Sequence, residues 1–321
     1  MERAYTGCRA GGVALALTLI LIGCSESPSG RPDANSADTA PTSDTSRPDG
    51  PLAADVPLGE GVGPADTGII DVPTPDGLGP CGGAKPGPGN TGVPAGATLT
   101  PSGSITVTQD GALVELLDVK GSITVLADNV TIRKVRLTSG DYYPIRYFDN
   151  NNTGLVVEDS EIIGTSGNVT SAIAFANYTA RRLNIHGSAD GLKADSNVTI
   201  EDCWIHDLSN GPGEHNDCVQ STGGKGVTIQ HSVLEGASNA AVQTGDEWAA
   251  TEDLTIRCSW LYGGGYTLNI RGTGATKPKN TKVIDNRFGR DAQYGPWVID
   301  DPAPTVTGNV YDDNNQPIPW P

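Results

Sequence analysis

The sequence predicts an all-β fold: a right-handed parallel β-helix of about nine coils that follows a disordered linker. Three observations predict it. A short apolar phrase recurs along residues 81–321, its spacing drifts, and no amphipathic helical period appears after the first 24 residues. The drift excludes helical repeats, whose two-helix units have nearly fixed lengths. A β-coil hides length differences in its turns.

Residues 1–23 form an export signal. Arg3 and Arg9 flank its start, Val13 to Ile22 form its apolar core, and Leu21-Ile22-Gly23-Cys24 closes it. The core is too short to span a bilayer, so the segment is for targeting. LIGC resembles the lipobox of bacterial lipoproteins. That resemblance implies a lipidated Cys24, a membrane anchor through it, and a cell-envelope location. Ser25 follows the cysteine where an aspartate would favour inner-membrane retention, so the outer membrane or cell surface is expected.

Residues 24–80 read as an acidic tether. Pro, Ser, Thr, Gly and Asp dominate, and no apolar run could build a core. Acidic residues recur from Glu26 to Asp76 against only Arg31 and Arg47. Charge repulsion and proline stiffness extend such a chain. The glycine and ligand pattern of calcium loops is missing from it.

The whole chain has a formal net charge of −17. Residues 81–321 carry roughly ten of those excess negative charges, which argues against nucleic acid as a partner. An acidic polymer needs a bridging cation or a local basic patch. Past Cys8 and Cys24, Cys81, Cys203, Cys218 and Cys258 remain. Export permits disulfides, and four cysteines allow three pairings that spacing does not separate.

Residues 81–321 form one β-helix domain, expected to be monomeric. The recurring phrase is an apolar residue, two spacers, a small or apolar residue, a spacer, and another apolar residue. It begins at Val114-x-x-Leu117-x-Val119 and continues from Ile132, Val157, Ala180, Ile200, Ile229, Ile256, Val283 and Val306. The anchors are separated by 18, 25, 23, 20, 29, 27, 27 and 23 residues. NVTI (129–132), NVTI (197–200), GVTI (226–229) and DLTI (253–256) each enter a β-branched strand through a turn residue. Parallel strands stacked ~4.8 Å apart would make a rod roughly 40 Å long.

These phrases resemble those of the pectin-lyase-like superfamily over roughly residues 95–315, and GNTGVPAGATLT (89–100) resembles the opening of small secreted bacterial β-helix proteins. The resemblance implies polysaccharide lyases and hydrolases in the main, with epimerases and non-enzymatic adhesins among them. Fold alone does not choose between these.

A second strand in each coil stacks Ile145, Leu192, Val219, Val242, Leu268 and Val298 on an inner row. Arg146, Lys193, Gln220, Gln243, Asn269 and Ile299 then face outward, and Asp195, Thr222, Gly245 and Arg271 do so two residues later. Such a polar wall suits a sugar. Asp190 and Asp217 share an offset two residues before the inner row, which puts them about 5 Å apart on adjacent coils. Carboxylates that close share a cation or split their pKa values. Calcium held by Asp190 and Asp217 is therefore the cofactor to consider.

SADG (188–191) and NDCV (216–219) resemble the NTDG and DDCV motifs of polygalacturonases. The resemblance implies that Asp190 and Asp217 position and activate water. Asn216 falls where that family has its acid, and an amide cannot donate the proton; adjacent His215 is the available substitute. Arg271, in Asn269-Ile270-Arg271, falls at that family's lysine position. GASNA (236–240) stands where a glycine-histidine-glycine motif belongs.

β-Elimination from a uronic-acid polysaccharide suits the residues better. It needs a base, for which Lys193 is the candidate, and a group to neutralise the sugar carboxylate, for which Arg271 is the candidate. Gln220, Gln243, Asn269, Asp195, Tyr266 and Trp297 are the expected substrate contacts. Hydrolysis and non-catalytic glycan binding or adhesion are the alternatives. His186 and His206 share an offset, with Glu235 and Tyr262 next along that row; no clear third ligand makes this a zinc site.

Overall fold

The computed structural model describes residues 81–320 except 148–151, 167, 210–214 and 273–275. The export signal, Cys24 and the tether lie outside the described residues. The expected all-β architecture is present. Three parallel sheets of ten, nine and nine strands wrap one axis, and the chain visits them cyclically. One turn, for example, runs through Asn184–His186 in sheet 1, Asp190–Lys193 in sheet 2 and Val198–Glu201 in sheet 3. This is a parallel β-helix.

The recurring phrase is the corner between sheet 3 and sheet 1. Its first apolar residue lies in a sheet 3 strand and its last in the next sheet 1 strand. Ile200 pairs with Ile229, and Ile205 pairs with Leu234. The second spacer carries the bend. Leu116, Lys134, Asp159, Arg182, Asp202, His231, Cys258 and Asp285 all have left-handed φ between 44° and 57°, and Gly308 takes the same place at φ 68°. Left-handed backbone costs an L-residue about 1–2 kcal/mol, so the corner must recover that elsewhere.

It does so in the next residue of the phrase. Ser160, Ser232, Ser259, Asn286 and Asn309 are buried there, and the last four form a ladder. Ser232 Oγ accepts from the Cys203 amide, Ser259 Oγ from Ser232, Asn286 Oδ1 from Ser259 and Asn309 Oδ1 from Asn286, at 3.0–3.2 Å. Each rung satisfies a backbone donor that the bend leaves without a strand partner. The turn residues that enter NVTI, GVTI and DLTI are left-handed too: Asn129, Asn197, Gly226 and Asp253.

Inside, aliphatic columns run along the axis. Ile132, Val157, Ala180, Ile200, Ile229, Ile256 and Val283 line sheet 3, and Leu137, Ile162, Ile185, Ile205, Leu234, Leu261 and Phe288 line sheet 1. All are at most 2% exposed. Burial of each larger one contributes about 1.5–3 kcal/mol.

Sheet 2 stacks Ile123, Ile145, Ile173, Leu192, Val219, Val242, Leu268 and Trp297. This corrects the last rung of the expected inner row. Trp297, not Val298, pairs with Leu268, and Val298 pairs with Asn269. A one-residue slip exchanges the two faces of a strand. Trp297 packs edge-on against Phe288 at 5.2 Å and beside Trp320 at 5.9 Å, against the core.

One disulfide joins Cys81 to Cys258, while Cys203 and Cys218 are buried free thiols. The segment after Cys81 lies on the outside of sheet 1. The Gly83 backbone passes against the His231 ring, leaving no room for a side chain, and the Gly92 amide donates to Arg182 O at 2.9 Å.

Candidate functional site

The outer wall of sheet 2 assembles most of the expected site residues in register. Arg146 lies beside Ala174; beyond that, Lys193 pairs with Gln220, Gln220 with Gln243, and Gln243 with Asn269. A second column, one flank over, contains Ser171, Asp190, Asp217 and Ala240, followed by Tyr266 and Gly295.

Asp190 and Asp217 are neighbours on one wall. The Asp217 amide donates to Asp190 Oδ1 at 2.9 Å. Both side chains are withdrawn from solvent, Asp190 at 4% exposure and Asp217 at 0%. Lys193 Nζ lies 2.6 Å from Asp190 Oδ2 and also donates to Gln220 Oε1. Asp217 Oδ1 accepts from Asn239 at 2.9 Å, and its Oδ2 accepts from Gln220 at 3.3 Å. Burial, then the Asp190 charge, pushes the Asp217 carboxyl well above the carboxylate range. The raised pKa sets Asp217 apart from Asp190, whose partner is Lys193.

That shift has a measurable consequence. A carboxyl whose folded pKa is raised binds its proton more tightly folded than unfolded. Stability is then greatest below the unfolded pKa and falls as pH rises toward the folded value. Asp217→Asn removes the titration, so its stability relative to the native protein should improve steadily from about pH 4 upward. Denaturant unfolding of both proteins across pH checks this; a constant difference would mean that Asp217 is ionised when folded.

Calcium does not fit this pair as it stands. All four carboxylate oxygens already accept hydrogen bonds from protein groups. Among the described residues, no three His, Cys, Asp or Glu side chains stand close enough to hold one ion. No step is derived through a metal.

The flanks sort the remaining residues. Asn216 is fully buried; its amide oxygen accepts from Ser238 N at 2.5 Å and Ser238 Oγ at 2.6 Å. It pins the GASNA turn, and with its oxygen so used it faces no substrate. His215 beside it is exposed. Asp195 is buried and accepts from the Thr222 amide and hydroxyl, holding the turn. Arg271 is exposed and donates to Asn269 Oδ1 at 2.7 Å. It stands three rungs from Lys193, roughly 14 Å.

Two residues, Asn239 and Tyr294, are not marked as site residues by the sequence. Asn239 holds Asp217, but it lies in a turn of unpredictable length. Tyr294, 64% exposed, lies 5.5 Å from Tyr266 and widens an aromatic edge along the wall. Trp248, expected from the sequence to flank the cleft, is 54% exposed and follows the Gln243 strand. Exposed aromatic faces of this kind are what a sugar ring stacks against. Only their bulk at turn positions marks them in the sequence.

No protein-family model matches the chain, and no curated protein or solved structure matches it either. The fold and the geometry of the wall therefore carry the functional argument.

Proposed function

We propose that the sheet 2 wall binds an acidic polysaccharide along the rod and that Lys193 cleaves it by β-elimination. The observation that carries this reading is the placement of cations. In a strongly acidic chain, Arg146, Lys193 and Arg271 share one wall, joined by the amides of Gln220, Gln243 and Asn269. Cations and amides suit a uronic acid's carboxylate and hydroxyls, and the Tyr266–Tyr294 edge suits its ring faces.

The chemistry needs Lys193 as a free amine. Its proton has a short path to Asp190 Oδ2, 2.6 Å away. When the polymer covers an already dry pair, the neutral amine and acid gain on the ion pair. The amine takes the proton from the sugar carbon next to the carboxylate. The carbon–oxygen bond one carbon further breaks as the double bond forms, and water protonates the leaving oxygen. Arg271 meets a carboxylate at a neighbouring sugar position. Hydrolysis is less well supported, because the Asn216 amide is engaged by Ser238 and Asp217 is enclosed.

In the same reading, a lipidated Cys24 and the acidic tether hold the rod at the cell envelope. The substrate is then a polymer outside the cytoplasm.

Incubating the protein with a panel of uronic-acid and neutral polysaccharides tests the reading. Ultraviolet absorbance from the new double bond should rise together with reducing ends, on uronic-acid polymers alone. Reducing ends without absorbance would indicate hydrolysis. Retained binding with neither signal would leave a glycan-binding rod.

A further inference from the structure

A separate cavity of about 320 Å³ opens on the outside of sheet 1, around the turns that lead to sheet 2. Trp204, His206, Asp207, Glu235, Tyr262 and Asp291 line it. This is the row on which His206, Glu235 and Tyr262 share an offset in the sequence. We propose that it is a second ligand site and that it binds a small organic cation through an alkylammonium group.

The lining is built and fixed before any ligand arrives. The Trp204 ring stacks on His206, with centroids 3.5 Å apart and planes 13° from parallel. Its indole N–H donates to Glu235 Oε1 at 2.7 Å, which sets that carboxylate at the cavity. His206 is held from both sides, by Asp207 at 2.7 Å and Asn184 at 2.8 Å. The Tyr262 hydroxyl donates to Asp312 at 2.6 Å and accepts from Lys85 at 2.7 Å. Asp291 accepts from the Gly263 amide at 3.0 Å.

Charge and shape then select the ligand. Three carboxylates line the space, and the cation at its edge is Lys85, which donates to the Tyr262 hydroxyl. Burial lowers the His206 pKa, which works against a positive charge on the imidazole. The negative charge is spread around aromatic rings, and the described acidic and histidine side chains do not converge closely enough to hold a bare metal ion. An organic ammonium fits such a space, because it gains from both carboxylates and aromatic rings. The protein supplies an internal example. Lys85 Nζ lies 4.8 Å from the Tyr262 ring centroid and 5.7 Å from that of Trp260, so this aromatic row already holds one ammonium.

The experiment is calorimetric titration of the full chain at physiological salt with choline, glucosamine and Nα-acetyl-lysine amide. These carry the cation on three different bodies, and the tightest identifies the source. Saturable binding by at least one is expected. The neutral choline isostere 3,3-dimethyl-1-butanol should bind at least ~10-fold more weakly than choline. Glu235→Gln keeps an acceptor for Trp204 and should weaken binding about 10-fold, and Tyr262→Leu by a similar factor. Lys193→Arg, on the other wall, should leave it unchanged. The site is disproved if none of the three cations saturates below roughly 50 mM, if the neutral alcohol binds as well as choline, or if Glu235→Gln binds like the native protein.

Discussion

Lys193→Arg should bind an acidic polysaccharide almost as the native protein does and fail to cleave it. Arginine keeps the positive charge and the ion pair with Asp190, but it cannot give up its proton at accessible pH. A general base contributes about 10²–10⁴-fold to rate, so kcat should fall by at least ~100-fold while KM moves little. Lys193→Met is a poorer probe on its own. It strands the buried Asp190 carboxylate, and breaking a buried pair costs about 3–5 kcal/mol. Combining it with Asp190→Asn removes the stranded charge, and this neutral double variant should be folded and inactive. Asp217→Asn should retain turnover, because that carboxyl is enclosed and its oxygens face Asn239 and Gln220. A Lys193→Arg protein that cleaves at the native rate would remove the base role and return attention to the two aspartates.

The fold was legible because its unit is local. Each coil repeats one bend, and the bend has a residue-level signature: an apolar residue, a left-handed spacer, then a small, amide or apolar residue. Asp202, Asp285 and Gly308 at the left-handed position, and Ser232, Ser259 and Asn286 behind it, are all choices that the backbone geometry favours. The pairing of Asp190 with Asp217 followed from the same counting, since no turn intervenes between each aspartate and its strand.

What the sequence left open depends on turns. Between sheets 1 and 2 the connection has no fixed length. Nothing local therefore announces that Asn239 reaches Asp217, that Ser238 consumes the Asn216 amide, or that Tyr294 joins Tyr266. The slip at Trp297 has the same origin. Gly295 opens that strand at φ 127°, and one residue gained in the turn exchanges inside for outside. Burial was equally invisible. Alternation places a carboxylate on a wall, but not the depth at which neighbouring turns leave it.

The disulfide should account for a large share of the domain's stability. Cys81 and Cys258 are 177 residues apart, so the bond closes most of the domain, all but its last coils, into one loop. The chain-entropy model assigns about 5 kcal/mol to a loop of that size, against a total of roughly 5–15 kcal/mol for a typical domain. The bond also fixes the segment that carries Lys85 to Tyr262 and Gly92 to Arg182. Cys81→Ala with Cys258→Ala should therefore lower the urea midpoint steeply. Cys81→Ala with Cys258→Gly should recover about 1 kcal/mol of that, because Cys258 occupies a left-handed corner at φ 55° where glycine is unstrained. Thiol labelling provides a check on the bond itself. Burial pushes the Cys203 thiol up to about 12 and raises Cys218 as well, so neither reacts while the protein stays folded. Labelling of the cysteines in residues 81–321 should begin only on reduction, and then at Cys81 first, since that residue alone of these four is exposed. A loss below ~1 kcal/mol in the double alanine variant would mean that the coils hold themselves together without this covalent closure.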